Sequence, residues 1–497
     1  MSELKIGWAR RDISTDEPIK LPGQWHVRIS QGVAEPCYAT ALAIDGGDDI
    51  VIFVSCDLTS LRANIGGGVR EELRRRNAPF DEKKIIITAT HTHTAPSALH
   101  NLPDEPTELN GVKLRMPETH RRFVIEQICD AVCEAWETRK PGKIAYGYGY
   151  AVVAHSRRVI YFDDVSTRPD AVNQEGFTVN GHGVMYGETN DPNFSHYEAG
   201  ADHFLNCVFT YDLNDKLTGA VINVPCPSQN SEMEYKISAD YWADVRELAK
   251  KQYGDIFILT QCAAAGDLSP RILHYREAQD RRFRLKYPDA QNRERAARKD
   301  IAERIMQGFA EILSWAQKEK FTSLPVKHVY KTLPLEARSV PKDVYEDALK
   351  KVAICREKKI DPSLPPEEYT RLESLRKTQI KKYDGLIERY EKNAKVFEEE
   401  VHAVRLGNIA FTTCRFEIYM DYQHRIQARS PFEQTFMVQL CAQTDEKGSC
   451  YLPTERAVWA KGYSADLIGN KVSHNGGQQL VEGALQLLNM LKEGDKQ

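Results

Sequence analysis

Apolar and polar residues alternate along this chain with two different periods, and the dominant period changes with position. Up to about residue 270 the apolar residues form short runs of strand length, separated by Gly, Pro, Asn and Asp. From 271 to 400 they recur at helical spacing among Lys, Arg and Glu, and strand-like runs return afterwards. The pattern predicts an α/β fold of layered mixed β-sheets flanked by helices, with a mainly helical insertion.

Individual elements follow from these runs. Strands are predicted at residues 4–9, 38–44, 50–56, 85–87, 143–154, 204–213, 217–224, 256–260, 401–406, 409–413 and 435–440, and 326–337 is an extended stretch. Helices are predicted at residues 67–76, 121–139, 241–252, 296–317, 366–396 and 478–491. Residues 163–206 are rich in Gly, Asn, Asp and His without periodicity, so a long and functional loop region is expected there. We expect residues 1–270 and 400–497 to form the catalytic core together, and residues 271–399 to pack on it as a helix-rich insertion.

Two histidines follow the strand predicted at residues 85–87. His91 and His93 follow it where the chain leaves a buried strand, and open α/β sheets keep their chemistry at such strand ends. Residues i and i+2 of an extended chain point to the same face, so both rings can reach one cavity. One could take a metal while the other handles a proton or an oxyanion. Alternatively, both are only hydrogen-bonded loop residues.

A second strand end carries Asp57 directly after the run at 50–56. Its carboxylate could serve the same cleft as His91. A helix cap is an equally good interpretation, because Asp is among the preferred N-cap residues.

Composition narrows the class of protein. With 41% hydrophobic and 28% charged residues, the chain has the make-up of a globular protein with a sizeable core. A net charge of −4 gives no general case for nucleic acid as a partner. No window reaches the roughly 20 apolar residues of a membrane helix, and residues 1–18 lack the apolar core of a signal peptide. The eleven cysteines show no paired spacing, which favours reduced thiols and a cytoplasmic protein.

Four separated motifs together resemble the neutral/alkaline ceramidase family of zinc amidohydrolases. Residues 89–96, Ala-Thr-His-Thr-His-Thr-Ala-Pro, are similar to that family's ATHTHSGP, and residues 266–270 to its GDVSP. Glu417 lies in a segment similar to the family's PGE-F motif, and residues 451–454 resemble YxTT. Weaker similarities at residues 156–158 and 238–241 keep the same order. The order and spacing hold from about residue 5 to 490.

The resemblance implies a zinc site made of His91, Glu417, Tyr451 and one further histidine. That histidine belongs to an HPTS-like turn, and here Cys226 stands in its place within Pro-Cys-Pro-Ser. A thiolate is a good zinc ligand, so Cys226 is assigned to the metal set. Other interpretations stay open: a different metal, a lost metal, a nucleophilic Cys226, or a buried cysteine without chemistry.

The resemblance also implies three catalytic residues. His93 would transfer a proton or stabilise an oxyanion, and Ser269 would lie against the scissile group, unless it is only a helix cap. Arg157 would bind a substrate oxygen or the anionic transition state, with Arg158 as the alternative if the local alignment shifts by one residue.

The expected function is water-mediated cleavage of an amide or ester bond with zinc as cofactor. The family's ceramidases are typically exported and carry an immunoglobulin-like C-terminal domain, for which this sequence offers neither a leader nor room. A small polar or carbohydrate-derived substrate is therefore expected rather than ceramide, without nucleic acid or stable membrane insertion. Two alternatives remain, namely glycosidic or ester cleavage by Cys226 or a carboxylate, and a metal-free binding protein. The substrate's identity and the assembly state, a homo-oligomer included, stay open.

Overall fold

The computed structural model of the chain describes residues 2–101, 106–169, 171–173, 176–177 and 179–493. Its helices are α1 Ile65–Arg75, α2 Pro117–Glu137, α3 Tyr241–Tyr253, α4 Arg276–Lys286, α5 Arg293–Ala316, α6 Lys342–Glu357, α7 Pro366–Lys392, α8 Met420–Arg429, α9 Glu455–Ala460 and α10 His474–Glu493.

Among the described residues there are twelve strands of five or more residues and eleven shorter ones. In chain order they are β1 Lys5–Asp12, β2 Lys20–Leu21, β3 Arg28–Ile29, β4 Tyr38–Asp45, β5 Ile50–Cys56, β6 Ile85–Ala89, β7 Glu108–Leu109, β8 Val112–Lys113, β9 Lys140–Tyr150, β10 His155–Ser156, β11 Arg158–Tyr161, β12 Gly183–Met185, β13 Phe194–Tyr197, β14 Phe204–Asp212, β15 Leu217–Val224, β16 Phe257–Cys262, β17 Leu268–Ser269, β18 Val326–Glu336, β19 Val396–Leu406, β20 Ile409–Thr413, β21 Glu417–Ile418, β22 Gln434–Val438 and β23 Tyr451–Leu452.

Two mixed sheets form the centre of the fold. The larger has eight strands in the order β16-β15-β14-β9-β1-β4-β5-β6, and the smaller has four in the order β18-β19-β20-β22. Most neighbours are antiparallel, but β5–β6, β15–β16 and β20–β22 are parallel. The two sheets share one apolar core, in which Phe53 of β5 lies 4.8 Å from Phe411 of β20, measured between ring centroids.

Helices cover the outer face of each sheet. α1 and α2 share one core with β4, β5 and β6, while α3 and α5 share a second with β9, β14 and β15. α8 and α10 close the smaller sheet on its far side. The result is four layers, helix–sheet–sheet–helix, because every sheet face is apolar enough to need a cover. His91, Cys226 and Glu417 follow the carboxyl ends of β6, β15 and β20 respectively. Strand ends of this kind carry the functional residues of many α/β proteins.

The predicted fold class, α/β with layered mixed sheets, flanking helices and a helix-rich segment, is confirmed. Within residues 271–399 the extended stretch is β18, which forms the edge of the smaller sheet by pairing with β19 along eleven residues. The division into core and insertion stays a prediction.

Two predicted boundaries are wrong for identifiable reasons. The helix expected at 366–396 ends at Lys392, because Asn393 adopts a left-handed conformation with φ 44°, and β19 then begins at Val396. The expected loop at 163–206 contains β12 and β13, which pair on either side of β11 in a three-stranded sheet. These strands have three and four residues, too few to show a period. Positions 170, 174, 175 and 178 of that stretch lie outside the described residues.

The described helices include none that combines the length and the apolar character needed to span a membrane.

Candidate active site

His91 is held in an unusual backbone conformation just beyond β6. Its φ is 68°, a left-handed value that is uncommon for a residue other than glycine. Its backbone N–H donates to Leu58 O at 3.0 Å, and its ring Nδ1 lies 2.7 Å from Thr59 O. The loop after β5 therefore fixes both the backbone and the ring of His91, and Nε2 faces the interior of the site.

His93 lies against the same interior. Its Nε2 is 3.3 Å from His91 Nε2, so the expectation that the two rings share one cavity is met. Its Nδ1 is 3.1 Å from the Glu232 carboxylate, off the line of a well-aligned hydrogen bond. Burial lowers the pKa of His93, although the nearby Glu232 opposes that shift.

Glu417 and Tyr451 are brought together by backbone pairing. β21 and β23 form a two-stranded parallel ladder in which Glu417 is the register partner of Tyr451. Glu417 Oε2 lies 3.4 Å from His91 Nε2. Burial alone would raise the pKa of the Glu417 carboxyl, but His91, Arg157 and Tyr451 outweigh it and lower that pKa to about 2. Glu417 is therefore ionised at neutral pH.

Arg157 supplies the positive charge of this cluster. The residue is only 3% exposed. Its guanidinium lies 4.0 Å from the Glu417 carboxylate and donates to the Tyr451 hydroxyl at 3.3 Å. It also donates to Gly266 O at 2.9 Å and to the Tyr186 hydroxyl at 3.3 Å. An arginine in this position can stabilise negative charge that develops on a substrate oxygen.

The adjacent Arg158 is turned elsewhere. It pairs with Glu198 at 2.5 Å and donates to the backbone oxygens of Lys461 and Tyr463. Of the two arginines considered from the sequence, Arg157 is thus the one in the cluster.

Cys226 does not point into the cluster. It follows β15 and is fully buried, and its thiol lies 3.4 Å from Val153 O and 3.8 Å from Pro227 O. Burial, followed by the neighbouring Cys262, raises the pKa of the Cys226 thiol well above its ordinary value. A protonated thiol that contacts carbonyl oxygens is a packing residue in this arrangement.

Ser269 and Asp57 are engaged in local structure. The Ser269 hydroxyl accepts a hydrogen bond from the Arg271 backbone N–H at 3.1 Å, within the short β17. Asp57 is completely buried and binds Arg246 through both carboxylate oxygens, at 2.7 and 3.0 Å. It also accepts the Tyr38 backbone N–H, which makes Asp57 a tie between elements rather than a helix cap.

The donor types fit a zinc ion only in part. His91, Glu417 and Tyr451 offer nitrogen and oxygen donors of the kind zinc takes, and they converge. The fourth donor that the resemblance implies, Cys226, is directed away. As the side chains stand, no group of three or more His, Cys, Asp or Glu in the described ranges is arranged to hold a metal ion.

Sequence reasoning missed four residues of the site. They are Thr59, Tyr186, Glu232 and Arg271. Thr59 orients His91, and Glu232 lies beside His93 and forms an ion pair with Arg271. Tyr186 accepts hydrogen bonds from Arg157 and from Gln229. The only signal was position, because Glu232 lies in the same irregular stretch as Cys226 and Tyr186 lies in the expected functional loop. Neither belongs to a motif.

A cavity of about 320 Å³ lies beside Arg271, which pairs with the Glu232 carboxylate next to His93. Helices α4 and α5 form much of its wall and contribute Arg282, Arg293 and Arg304. The Asn230 amide nitrogen is buried without a hydrogen-bond partner among the described residues. Asp300, which pairs with Arg282 and Arg304, and apolar side chains such as Ile272 and Phe283 complete the wall, so the cavity offers both polar groups and apolar surface to a ligand.

Comparison with known proteins gives a consistent result. Residues 7–161 match the family described as neutral/alkaline non-lysosomal ceramidase, N-terminal, a range that includes His91, His93 and Arg157. The fold is similar to that of neutral ceramidase from Pseudomonas aeruginosa, with a TM-score of 0.67 at 16% identity over 99% of this chain and 75% of that one. It is also similar to a ceramidase complexed with C2, with a TM-score of 0.66 at 14% identity over 99% and 76%. No curated protein matches the sequence significantly.

Proposed function

We propose, from the premise that the chain belongs to the neutral/alkaline ceramidase family, that it is a zinc-dependent hydrolase of an amide or ester bond. The family and the fold support an amide hydrolase of the ceramidase type. The observation that carries the proposal is the convergence of His91, Arg157, Glu417 and Tyr451 in one buried cluster. They come from three distant stretches of the chain, and chance burial would not bring a base, a cation, a carboxylate and a phenol together.

The zinc would be held by His91, Glu417 and Tyr451. Bound there, it would supply a Lewis acid that activates a water molecule or polarises the scissile carbonyl. The chain's own contribution is preorganisation. Thr59 fixes the ring of His91, and the β21–β23 ladder fixes the separation of Glu417 and Tyr451.

Arg157 would bind the substrate oxygen that becomes negative during the reaction. Its position is fixed by Gly266 O and the Tyr186 hydroxyl, and its Nε has no partner among the residues that are described. A buried guanidinium with a free N–H is a preorganised donor, and one such donor is worth about 10²–10³-fold in kcat.

His93 would transfer a proton or stabilise an oxyanion. Its Nε2 lies 3.3 Å from His91 Nε2, and the Glu232 carboxylate lies 3.1 Å from its Nδ1. Ser269 as a residue that contacts the scissile group stays a prediction.

The adjoining cavity supports a small polar or carbohydrate-derived substrate. Four arginines and the unpartnered Asn230 amide line it and would bind polar groups of such a substrate, and apolar side chains such as Ile272 and Phe283 complete the wall. We therefore propose that the substrate is a water-soluble amide or ester rather than a lipid.

The test is a hydrolysis screen of the full-length, zinc-loaded protein on water-soluble amides and esters beside long-chain ceramide. We expect turnover of a soluble compound that is lost on chelation and lowered at least 10²-fold by Glu417→Gln. Glu482→Gln is the matched control, because that carboxylate pairs with Arg429 on the surface. Comparable turnover of ceramide would contradict the polar substrate, and absence of hydrolysis throughout the screen would contradict the hydrolase.

A further inference from the structure

The loop between β2 and β3 lies against the cluster and carries a tryptophan. A Cβ atom added at Gly23 of this loop would lie 2.5 Å from the His93 ring, so the loop backbone rests directly on that histidine. Arg28, at the other end of the loop, donates to His93 O at 2.5 Å. Trp25 lies between these two contacts in the chain and is therefore held beside the cluster.

Aromatic rings connect the cluster to a lysine of α7. The ring centroids of Tyr451 and Tyr463 lie 5.6 Å apart, and those of Tyr463 and Trp25 are separated by the same distance. Lys382 Nζ lies 4.9 Å from the centroid of the Trp25 ring. The three contacts form one continuous wall, which begins at a residue of the cluster and ends at an amine.

The helix that supplies this lysine is fixed to the loop. Thr378 Oγ1 donates to Trp25 O at 2.9 Å. Ser374 Oγ accepts a hydrogen bond from the Val27 backbone N–H at 3.1 Å. Ser374, Thr378 and Lys382 are spaced four residues apart, so they share one face of α7. The contacts that fix the loop therefore also fix the position of Lys382 over Trp25.

The Lys382 amine has no counter-ion. It makes no hydrogen bond or ion pair with any residue that the structure describes, and it contacts the face of Trp25 instead. The side chain is half-buried, so the amine is partly removed from water. A charged group in such a place is stabilised by a partner of opposite charge, and a charge-assisted hydrogen bond is the strongest kind.

Positive charge is in excess around this amine. Burial is the main reason that the pKa of Lys382 is lowered to about 8, and three neighbouring cations add to the shift. The cations are Arg62, Lys381 and Lys471, and the Asp466 carboxylate opposes them. A local excess of positive charge favours an anionic ligand over a neutral one.

Arg62 brings a second donor group to the same side of the cluster. Its Nε donates to the Ser449 hydroxyl at 3.3 Å, two residues before Tyr451 in the chain. The side chain is exposed, and this is its one hydrogen bond to the described part of the protein. The other N–H groups of the guanidinium can therefore bind a ligand.

We infer that Lys382, with Arg62 near it, binds an oxyanion of the substrate, namely a carboxylate, sulfate or phosphate group, while Trp25 and Tyr463 pack against the adjoining part of the substrate. Lys382 is in this view a specificity-determining residue and takes no part in bond cleavage. The inference rests on the proposed hydrolase function and narrows its substrates to anionic amides or esters.

Chemical labelling of the full-length protein tests anion binding without a substrate. Lysines are acetylated with an N-hydroxysuccinimide ester at pH 8, in chloride or in phosphate, sulfate or acetate at equal ionic strength, and read by peptide mass spectrometry. A bound anion stabilises the charged amine, and a rise of about one unit in its pKa lowers the reactive neutral fraction about fivefold. We expect at least one of the three oxyanions to slow the labelling of Lys382 by about this factor, and to leave the exposed Lys381 unaffected. Labelling of Lys382 that none of them slows overturns the inference.

Paired substrates test the role of Lys382 in turnover. Each soluble amide or ester is compared with an analogue that carries a carboxylate, sulfate or phosphate group. We expect Lys382→Met to raise the KM of the anionic member about 10- to 100-fold at similar kcat and to leave the neutral member unchanged, because a hydrogen bond to a charged group is lost. Methionine keeps the alkyl contact with Trp25.

Two further variants complete this test. Lys382→Arg should restore most of the affinity for the anionic member, since it returns the charge. Lys381→Met is the matched control, because it makes the same change at the neighbouring exposed position of α7 and should leave both members unchanged.

The outcomes separate this inference from the proposed function. Equal kinetics of the anionic and neutral members in the wild type and in Lys382→Met would overturn the inference and leave a hydrolase of uncharged substrates. Absence of all hydrolysis would contradict the proposed function, and slowed labelling of Lys382 would then still establish the oxyanion site.

Discussion

At the scale of single residues, the chemistry of this protein depends on how a few buried polar groups are directed. His91, His93 and Glu417 face one interior, while Cys226, which the motif comparison placed with them, faces a backbone carbonyl. A sequence motif gives the identity of a residue at a strand end. It does not give the χ angles that decide whether its side chain points into a site or away from it.

Cys226 gives a prediction at this scale. Burial raises the pKa of its thiol well above the ordinary value, so the reactive thiolate is scarce and inaccessible. We expect iodoacetamide at pH 8 to leave Cys226 unmodified in the native protein and to label it after denaturation in urea, as read by peptide mass spectrometry. Cys133, the least buried cysteine, is the internal comparison. Rapid native labelling of Cys226 would restore the interpretation of this thiol as a nucleophile.

Sequence alone identifies His91, Arg157, Glu417 and Tyr451 because each lies in a motif. Glu232 could not be found in this way. Its role depends on a loop that folds back over the His91 strand, and nothing in a single sequence encodes the 3.1 Å approach of its carboxylate to His93.

At the scale of elements, length decided what could be predicted. Strands such as β5 and β15 have seven and eight residues and are buried along nearly their whole length, and such apolar runs between turn residues are visible in the sequence. β21 and β23, which position the site, have two residues each and no period at all. They exist because the surrounding layers hold their backbones at pairing distance.

The packing of α2 on the larger sheet gives a prediction at the element scale. Gly7 of β1 faces α2 so closely that an added Cβ would lie 1.8 Å from Ala135 O, a backbone atom that cannot easily move. We expect Gly7→Ala to lower the free energy of unfolding by about 1–3 kcal/mol or more, measured by denaturant titration.

The matched control is Gly385→Ala in α7, where an added Cβ meets no atom within 4 Å. Alanine there should raise the free energy of unfolding by about 0.5–1 kcal/mol, because glycine is the poorer helix former. If Gly7→Ala raises the unfolding midpoint as Gly385→Ala does, this result would contradict the close contact between β1 and α2.

At the scale of the whole molecule, buried histidines tie stability to pH. Burial lowers the pKa of His120 and of His155 to about 4, and also lowers the pKa of His328 and His402. The unfolded chain, with histidine pKa values near 6.5, therefore binds more protons than the folded one between about pH 6.5 and 4. These histidines therefore lower the stability as the pH falls through that range, whereas Asp267 and Glu399, whose pKa values burial raises to about 7, act in the opposite direction.

We expect the wild type to lose more stability between pH 7 and 4 than the His120→Gln variant, because His120 alone accounts for about 3 kcal/mol once it is fully protonated below pH 4. A second loss follows below about pH 4.5, because the folded-state pKa values of Glu232, Glu400 and Glu417 are about 2. Differential scanning calorimetry across the pH range is the measurement. An equal loss of stability between pH 7 and 4 in His120→Gln and in the wild type would contradict this role of His120.

Because Glu417 pairs with Tyr451 late in the sequence, the cluster can form only near the end of translation. His91 and Arg157 are synthesised within the first third of the chain. The β21–β23 ladder that completes the cluster is synthesised near the end. A nascent chain can already fold the early strands of the larger sheet while its histidines have no carboxylate or phenol opposite them. The nascent chain therefore lacks the complete cluster until β23 has been synthesised, and a chain truncated before β21 lacks both Glu417 and Tyr451.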